Sequence, residues 1–92
     1  MIFGHPDVRR SAALKAIKGW ARTLFRAEEE DVVIANELRC TEEGCPPLEV
    51  VVALLRPGAP PLQVRVHKPA VDVNEDDIAA ALAAAHEARA NR

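Results

Sequence analysis

A chain of 92 residues, 49% apolar and 28% charged, suffices for one domain and has the composition of a folded globular protein rather than a disordered one. No apolar run approaches the roughly 20 residues of a membrane-spanning helix, and the N-terminal residues lack the order of a secretion signal, so we expect no membrane contact and a cytoplasmic location. The net charge of −2 is unevenly divided: residues 1–26 carry six basic side chains and one acidic one, whereas residues 27–92 carry six basic and thirteen acidic ones.

The first predicted element is a helix from Asp7 to about Phe25. Its apolar residues recur at the three- and four-residue spacing of one helical face: Leu14, Ile17, Ala21 and Leu24. Basic residues recur at the same spacing on another face: Lys15, Lys18, Arg22 and Arg26. The pattern therefore predicts an amphipathic helix with a basic outer face.

Three strands are predicted in the middle of the chain. Asp31–Leu38 is a strand candidate with Val32, Ile34 and Leu38 on one face, which Asn36 interrupts. Leu48–Leu55 is apolar on both faces, which is typical of a central strand. A turn rich in proline and glycine, Arg56–Pro61, separates it from Leu62–His67, which alternates cleanly.

The last predicted element is a helix that begins after Asn74 and ends near Ala90. Asn74 is a preferred N-cap residue, acidic residues follow it, and Val73 and Ile78 occupy the two positions of a hydrophobic staple. The short connections predict an α+β domain of order α-β-β-β-α. We expect a three-stranded antiparallel meander with both helices packed on one face.

This topology is expected to gather several polar groups at one end of the domain. The N-termini of both helices, the loop between the first two strands, His67 and His5 should share that end. His86 is expected to be exposed at the opposite end.

The most distinctive segment of the chain is Cys40–Pro47, in which four residues separate Cys40 from Cys45. The two thiolates would supply half of a zinc site, with His67 and His5 as further candidate ligands, or half of an iron–sulfur cluster shared by two chains. They could also form a reversible disulfide in a thiol-redox protein. The structural alternative is a glycine–proline turn in which the cysteines pack as small apolar side chains. The sequence leaves these interpretations open.

Parts of this region resemble small bacterial proteins that have no assigned activity. The resemblance rests on Arg39-Cys40, on the segment Gly44–Glu49 that contains Cys-Pro-Pro, and on the His-Lys-Pro segment His67–Pro69. It covers most of the chain from the first strand onward. It implies no activity, cofactor or substrate.

The basic face of the first helix could contact phosphates or an acidic protein. The order α-β-β-β-α is also similar to that of double-stranded-RNA-binding domains, and that likeness implies basic residues at the start of the last helix. This chain has acidic residues there, Glu75, Asp76 and Asp77, which would repel phosphate. We therefore do not favour nucleic-acid binding and keep it as an alternative.

The sequence contains no complete catalytic constellation, and we interpret the chain as a non-enzymatic accessory or protein-interaction domain. The sheet face away from the helices is expected to carry a mostly apolar set, Val33, Ala35, Val51, Ala53 and Leu55, or else their neighbours of opposite parity. An exposed apolar face favours another protein or a second copy of the chain as partner. The alternative is metal, iron–sulfur or redox use of Cys40 and Cys45.

Overall fold

The computed structural model describes residues 6–39 and 48–90. Its elements are helix α1 (Pro6–Leu24), strands β1 (Val32–Arg39), β2 (Leu48–Leu55) and β3 (Leu62–Val66), a 3₁₀ turn (Ala70–Asp72) and helix α2 (Glu75–Ala90). The strands form one antiparallel sheet in the order β1-β2-β3. The predicted α+β meander with two helices is confirmed. Within the described ranges, neither helix is long and apolar enough to cross a membrane.

The hydrophobic core lies between the two helices and one face of the sheet. Helix α1 packs over β1, and helix α2 packs over β3. The largest side chains with no exposed surface come from α1, β2 and α2: Ile17, Val50, Val52 and Ile78. Burial of a side chain of this size contributes roughly 1.5–3 kcal/mol relative to exposure. Because both helices lie on the same side, the described elements cover only one face of the sheet.

Helix α1 ends in a Schellman motif. The N–H of Arg26 donates to the carbonyl oxygen of Thr23 at 3.2 Å, and the N–H of Ala27 donates to that of Arg22 at 2.9 Å. Arg26 has a φ of 56°, in the left-handed region that glycine usually occupies at this position. This reversal directs the chain through residues 28–31 into β1.

Helix α2 begins with the predicted N-cap. The N–H of Asp77 donates to Asn74 Oδ1 at 2.9 Å, and the N–H of Asn74 donates to Asp77 Oδ2 at 3.0 Å, which forms a capping box. Lys68 Nζ lies 3.0 Å from the same carboxylate. The Asn74 N–H first, and Lys68 second, lower the pKa of Asp77. Val73 and Ile78 are both buried, as a hydrophobic staple requires.

The 3₁₀ turn between β3 and α2 was not predicted. Its N-cap residue, Pro69, makes no side-chain hydrogen bond to the turn. Glu37 of β1 supplies the acceptor instead, because its Oε2 accepts the N–H of Ala70 at 2.8 Å. Arg10 Nη1 of α1 lies 3.7 Å from Glu37 Oε1. One carboxylate thus joins α1, β1 and the turn before α2.

At one end of the domain, the start of α1 and the start of β2 lie together as predicted. Around Glu37, residues from the start of α1, the start of β2 and the 3₁₀ turn line one shallow cleft: Arg9, Arg10, Leu48, Pro69 and Val71. At the opposite end, His86 is exposed and lines a cleft of about 760 Å³ together with Leu24, Arg26 and Leu82.

Candidate functional site: the open sheet face

The sheet face that points away from the helices, which we name the open face, is apolar along two strands. By register and burial it consists of Val32, Ile34, Asn36 and Leu38 of β1, Glu49, Val51, Ala53 and Leu55 of β2, and Gln63 and Arg65 of β3. Val32, Ile34, Leu38 and Leu55 expose 52%, 38%, 45% and 37% of their surface. These residue types are usually buried in folded domains. Together with Val51 and Ala53 they form an apolar stripe across β1 and β2, which Asn36 interrupts between Ile34 and Leu38.

The strand register corrects the predicted composition of this face. Val33 pairs with Leu54, and Ala35 pairs with Val52. Directly paired residues share a face, so Val33 and Ala35 lie on the core side, and neither of the two predicted sets is right as a whole. The β2 part of the prediction is confirmed: Val51, Ala53 and Leu55. The open face therefore carries the even-numbered residues of β1 and the odd-numbered residues of β2. The alternation of residues within one strand does not determine how that strand aligns with the next one.

An ion pair lies at the polar margin of the open face. Arg65 Nη1 of β3 donates to Glu49 Oε2 at 3.2 Å and to Oε1 at 3.4 Å. The Glu49 side chain is only 7% exposed, whereas that of Arg65 is 55% exposed. Gln63 extends the margin along β3 with an uncharged side chain. The open face thus changes from an apolar stripe on β1 and β2 to a neutral polar margin on β3.

A buried carboxylate that the sequence did not single out, Asp31, holds the start of β1. Asp31 Oδ2 accepts hydrogen bonds from Arg56 Nε at 3.0 Å, from Arg56 Nη2 at 2.9 Å and from the Glu28 N–H at 2.7 Å. Arg22 Nη1 donates to the main-chain oxygen of Asp31 at 3.2 Å. The Arg56 guanidinium first, and the Glu28 N–H second, lower the pKa of Asp31 from its ordinary 3.8, although burial acts in the opposite direction. Asp31 therefore links Arg56, at the end of β2, to the turn before β1 through hydrogen bonds.

The four basic residues of the predicted face of α1 are all exposed, but they do not form one uniform cluster. Arg22 is used within the domain, since it also donates to the Glu28 main-chain oxygen at 3.0 Å. Arg26 lies beyond the last residue of α1, in the Schellman motif. Lys15 and Lys18 remain as the helical pair of exposed cations. The prediction of polyanion or acidic-partner binding at this face stays a prediction.

The predicted metal or redox site falls largely outside the described residues. Cys40, Cys45 and His5 all lie there. His67 is exposed and follows Val66, which pairs with Val50 near the start of β2. Across 6–39 and 48–90, no cluster of three or more His, Cys, Asp or Glu residues is placed to hold a metal ion. The zinc, iron–sulfur and disulfide interpretations therefore stay predictions.

Comparisons with known proteins give no match: no family model, no curated protein and no solved structure matches the chain. Among the described residues, the open face is the most extended surface on which apolar side chains are exposed together.

Proposed function

We propose that this chain is a non-enzymatic protein-interaction domain that binds a partner protein on its open face. The observation that carries this proposal is the apolar stripe of Val32, Ile34, Leu38 and Leu55, four large side chains that are each more than one third exposed on a regular sheet. Contiguous exposed apolar surface on a small domain is typical of a protein-binding site.

The form of the open face favours a protein over a small molecule. Small-molecule sites are concave and enclose most of the ligand, whereas this stripe lies on the strands of a sheet with no helix beside it among the described elements. An apolar centre with a polar margin is the usual anatomy of a protein–protein interface. Glu49, Arg65 and Gln63 supply such a margin, so the expected partner surface is apolar at its centre.

Three carboxylates of low exposure support a structural rather than a catalytic use of the acidic residues. Asp31 is bonded to Arg56, Glu37 to the Ala70 N–H, and Glu49 to Arg65. Each of the three carboxylates has at least one oxygen that accepts a hydrogen bond from the chain itself. A general acid or base needs a carboxylate within hydrogen-bond reach of a substrate proton. These three groups instead hold strands, turns and helices together.

Replacement of Ala53 by lysine tests directly whether the open face binds the partner protein. Ala53 is the central position of the open face, because it pairs with Ile34 on one side and with Gln63 on the other. Lysine there places a cation in the middle of the apolar stripe and removes nothing from the core. We expect co-purification of the partner with the tagged chain, from the cells that encode it, to fall at least tenfold, as measured by quantitative mass spectrometry.

Ala80→Lys provides the matched control, since it makes the same change at an exposed position of α2. Ala80→Lys should retain the partner, and both variants should unfold within about 1 kcal/mol of the unmodified chain. Equal retention of every co-purifying protein by Ala53→Lys and Ala80→Lys would contradict the proposal. So would a wild-type chain that binds no protein.

A further inference from the structure

We propose that two copies of this chain pair antiparallel through the outer edges of their β1 strands and form a continuous six-stranded sheet. This inference goes beyond docking on the open face, because it uses the main chain at the edge of the sheet. The two surfaces are perpendicular to one another, so both can be occupied together.

Strand β1 is the longer and more regular of the two edge strands of the sheet. It is the first strand in the order β1-β2-β3, and Val32–Arg39 pairs residue by residue with β2 without a bulge. The strand contains neither proline nor glycine. Within the described part of the chain, no strand lies on its outer side. A long, regular edge of this kind is a template for another strand, because its outward N–H and C=O groups have no ladder partners.

The opposite edge of the sheet is protected in ways that β1 is not. Strand β3 has only five residues, follows Pro60 and Pro61, and is followed by Pro69. It also carries Arg65 in its middle. Short length, flanking prolines and a charged side chain are the usual devices that prevent edge-to-edge pairing. Of the two edge strands, β1 is therefore the one better suited to pair with a strand of another copy.

The charges at the two ends of β1 favour a second copy of the same chain as the partner. The strand follows an acidic turn, in which Glu29 and Glu30 are exposed, and it ends at Arg39, which is also exposed. Two antiparallel copies centred on Ala35 bring Arg39 of each strand opposite Asp31 and one residue from Glu30 of the other copy, twice in each dimer. A parallel arrangement would instead bring like charges together.

A two-fold axis at Ala35 gives the register that best suits the side chains. It places Val32 beside Leu38 of the other copy on the open face, and it places the small side chain of Ala35 beside itself. Glu37, the charged residue of β1 that points toward the core, already bonds the Ala70 N–H and pairs with Arg10. The negative charge of Glu37 therefore does not oppose the pairing of the two β1 strands. The axis is perpendicular to the sheet, so the two open faces lie side by side.

Sedimentation velocity between about 1 µM and 1 mM tests this proposal. The wild-type chain should reach twice the mass of one chain within this range. Arg39→Glu should raise the dimer dissociation constant about tenfold, because two symmetry-related attractions become repulsions in each dimer. Lys18→Glu is the matched control, since it makes the same change in net charge on the exposed surface of α1 and should leave the constant unchanged. Glu30→Lys combined with Arg39→Glu should restore pairing.

A wild-type chain that stays monomeric up to 1 mM would overturn the proposal, as would equal effects of Arg39→Glu and Lys18→Glu. A dimer that is lost with Ala53→Lys but kept with Arg39→Glu would also overturn it and would indicate face-to-face packing. If Ala53→Lys abolishes partner binding while the dimer persists, both proposals hold. If the dimer persists and Ala53→Lys has no effect on any partner, only the docking proposal fails.

Discussion

Replacement of Ile17 by alanine is expected to lower the free energy of unfolding by about 2–5 kcal/mol. Ile17 lies in the middle of α1, has no exposed surface and packs in the core with buried residues of the sheet. Alanine would remove the transfer free energy of the deleted atoms and would leave a cavity between α1 and the sheet. Domains are stable by only about 5–15 kcal/mol in total, so this single change removes a large share of the stability.

Val8→Ala is the control for this experiment. Val8 lies on the same helix but is 60% exposed, so its truncation should change the free energy of unfolding by no more than about 0.5 kcal/mol. Urea denaturation followed by circular dichroism measures both values. Similar losses for the two variants would contradict the orientation of α1 on the sheet.

Replacement of Asp31 by asparagine is expected to lower stability at pH 7 and to reduce the acid sensitivity of the chain. The asparagine side chain is uncharged, so its amide oxygen can accept the Arg56 hydrogen bonds only without the charge assistance that the carboxylate supplies. The Arg56 guanidinium would lose its anionic partner at the end of β2. The expected result is a lower urea midpoint at pH 7 than that of the wild-type chain.

The pH dependence of this difference follows from the direction of the Asp31 pKa. The pKa is lowered in the folded state from 3.8, so the carboxylate contributes stability above that value and loses it as the pH falls through the folded pKa. The urea midpoint of the wild-type chain should therefore exceed that of Asp31→Asn by its full amount above about pH 5. This difference should disappear as the pH falls below about 4. The acid dependence that remains in the variant includes the contribution of Asp77, whose pKa is also lowered.

Asp72→Asn is a suitable comparison, because Asp72 is an exposed carboxylate outside the Asp31 cluster. Its urea midpoint should lie close to that of the wild-type chain at pH 7. An Asp31→Asn gap of the same size at pH 3 and pH 7 would show that the carboxylate charge is not what stabilises this end of the domain.

The order of the elements could be predicted because each has a strong local signal. The three- and four-residue spacing around Ile17, the two-residue spacing of β3 and the cap at Asn74 all depend on residues close together in the chain. The observed helices and strands begin and end within one residue of the predicted positions for Asp7–Phe25, Leu48–Leu55 and Leu62–His67.

The composition of the open face and the Asp31 cluster depended on strand alignment, which local patterns do not determine. Val32 pairs with Leu55, and this pairing brings the preceding Asp31 next to the following Arg56. The two residues are 25 positions apart and carry no shared motif. Because β2 is apolar on both faces, its sequence is equally compatible with an alignment shifted by one residue, which would exchange the faces. The 3₁₀ turn was missed for a similar reason, because its acceptor, Glu37, lies in another strand.

The claim that the open face binds a partner protein is tested most directly by photo-crosslinking in the cells that encode the chain. A photoreactive phenylalanine analogue would replace Leu55 on the open face or, as control, Val71 in the 3₁₀ turn. The two side chains are comparably exposed, at 37% and 47%. The proposal predicts a covalent adduct to a second protein species from position 55 and none from position 71. Adducts from position 71 alone, or equal adducts from both positions, would contradict it.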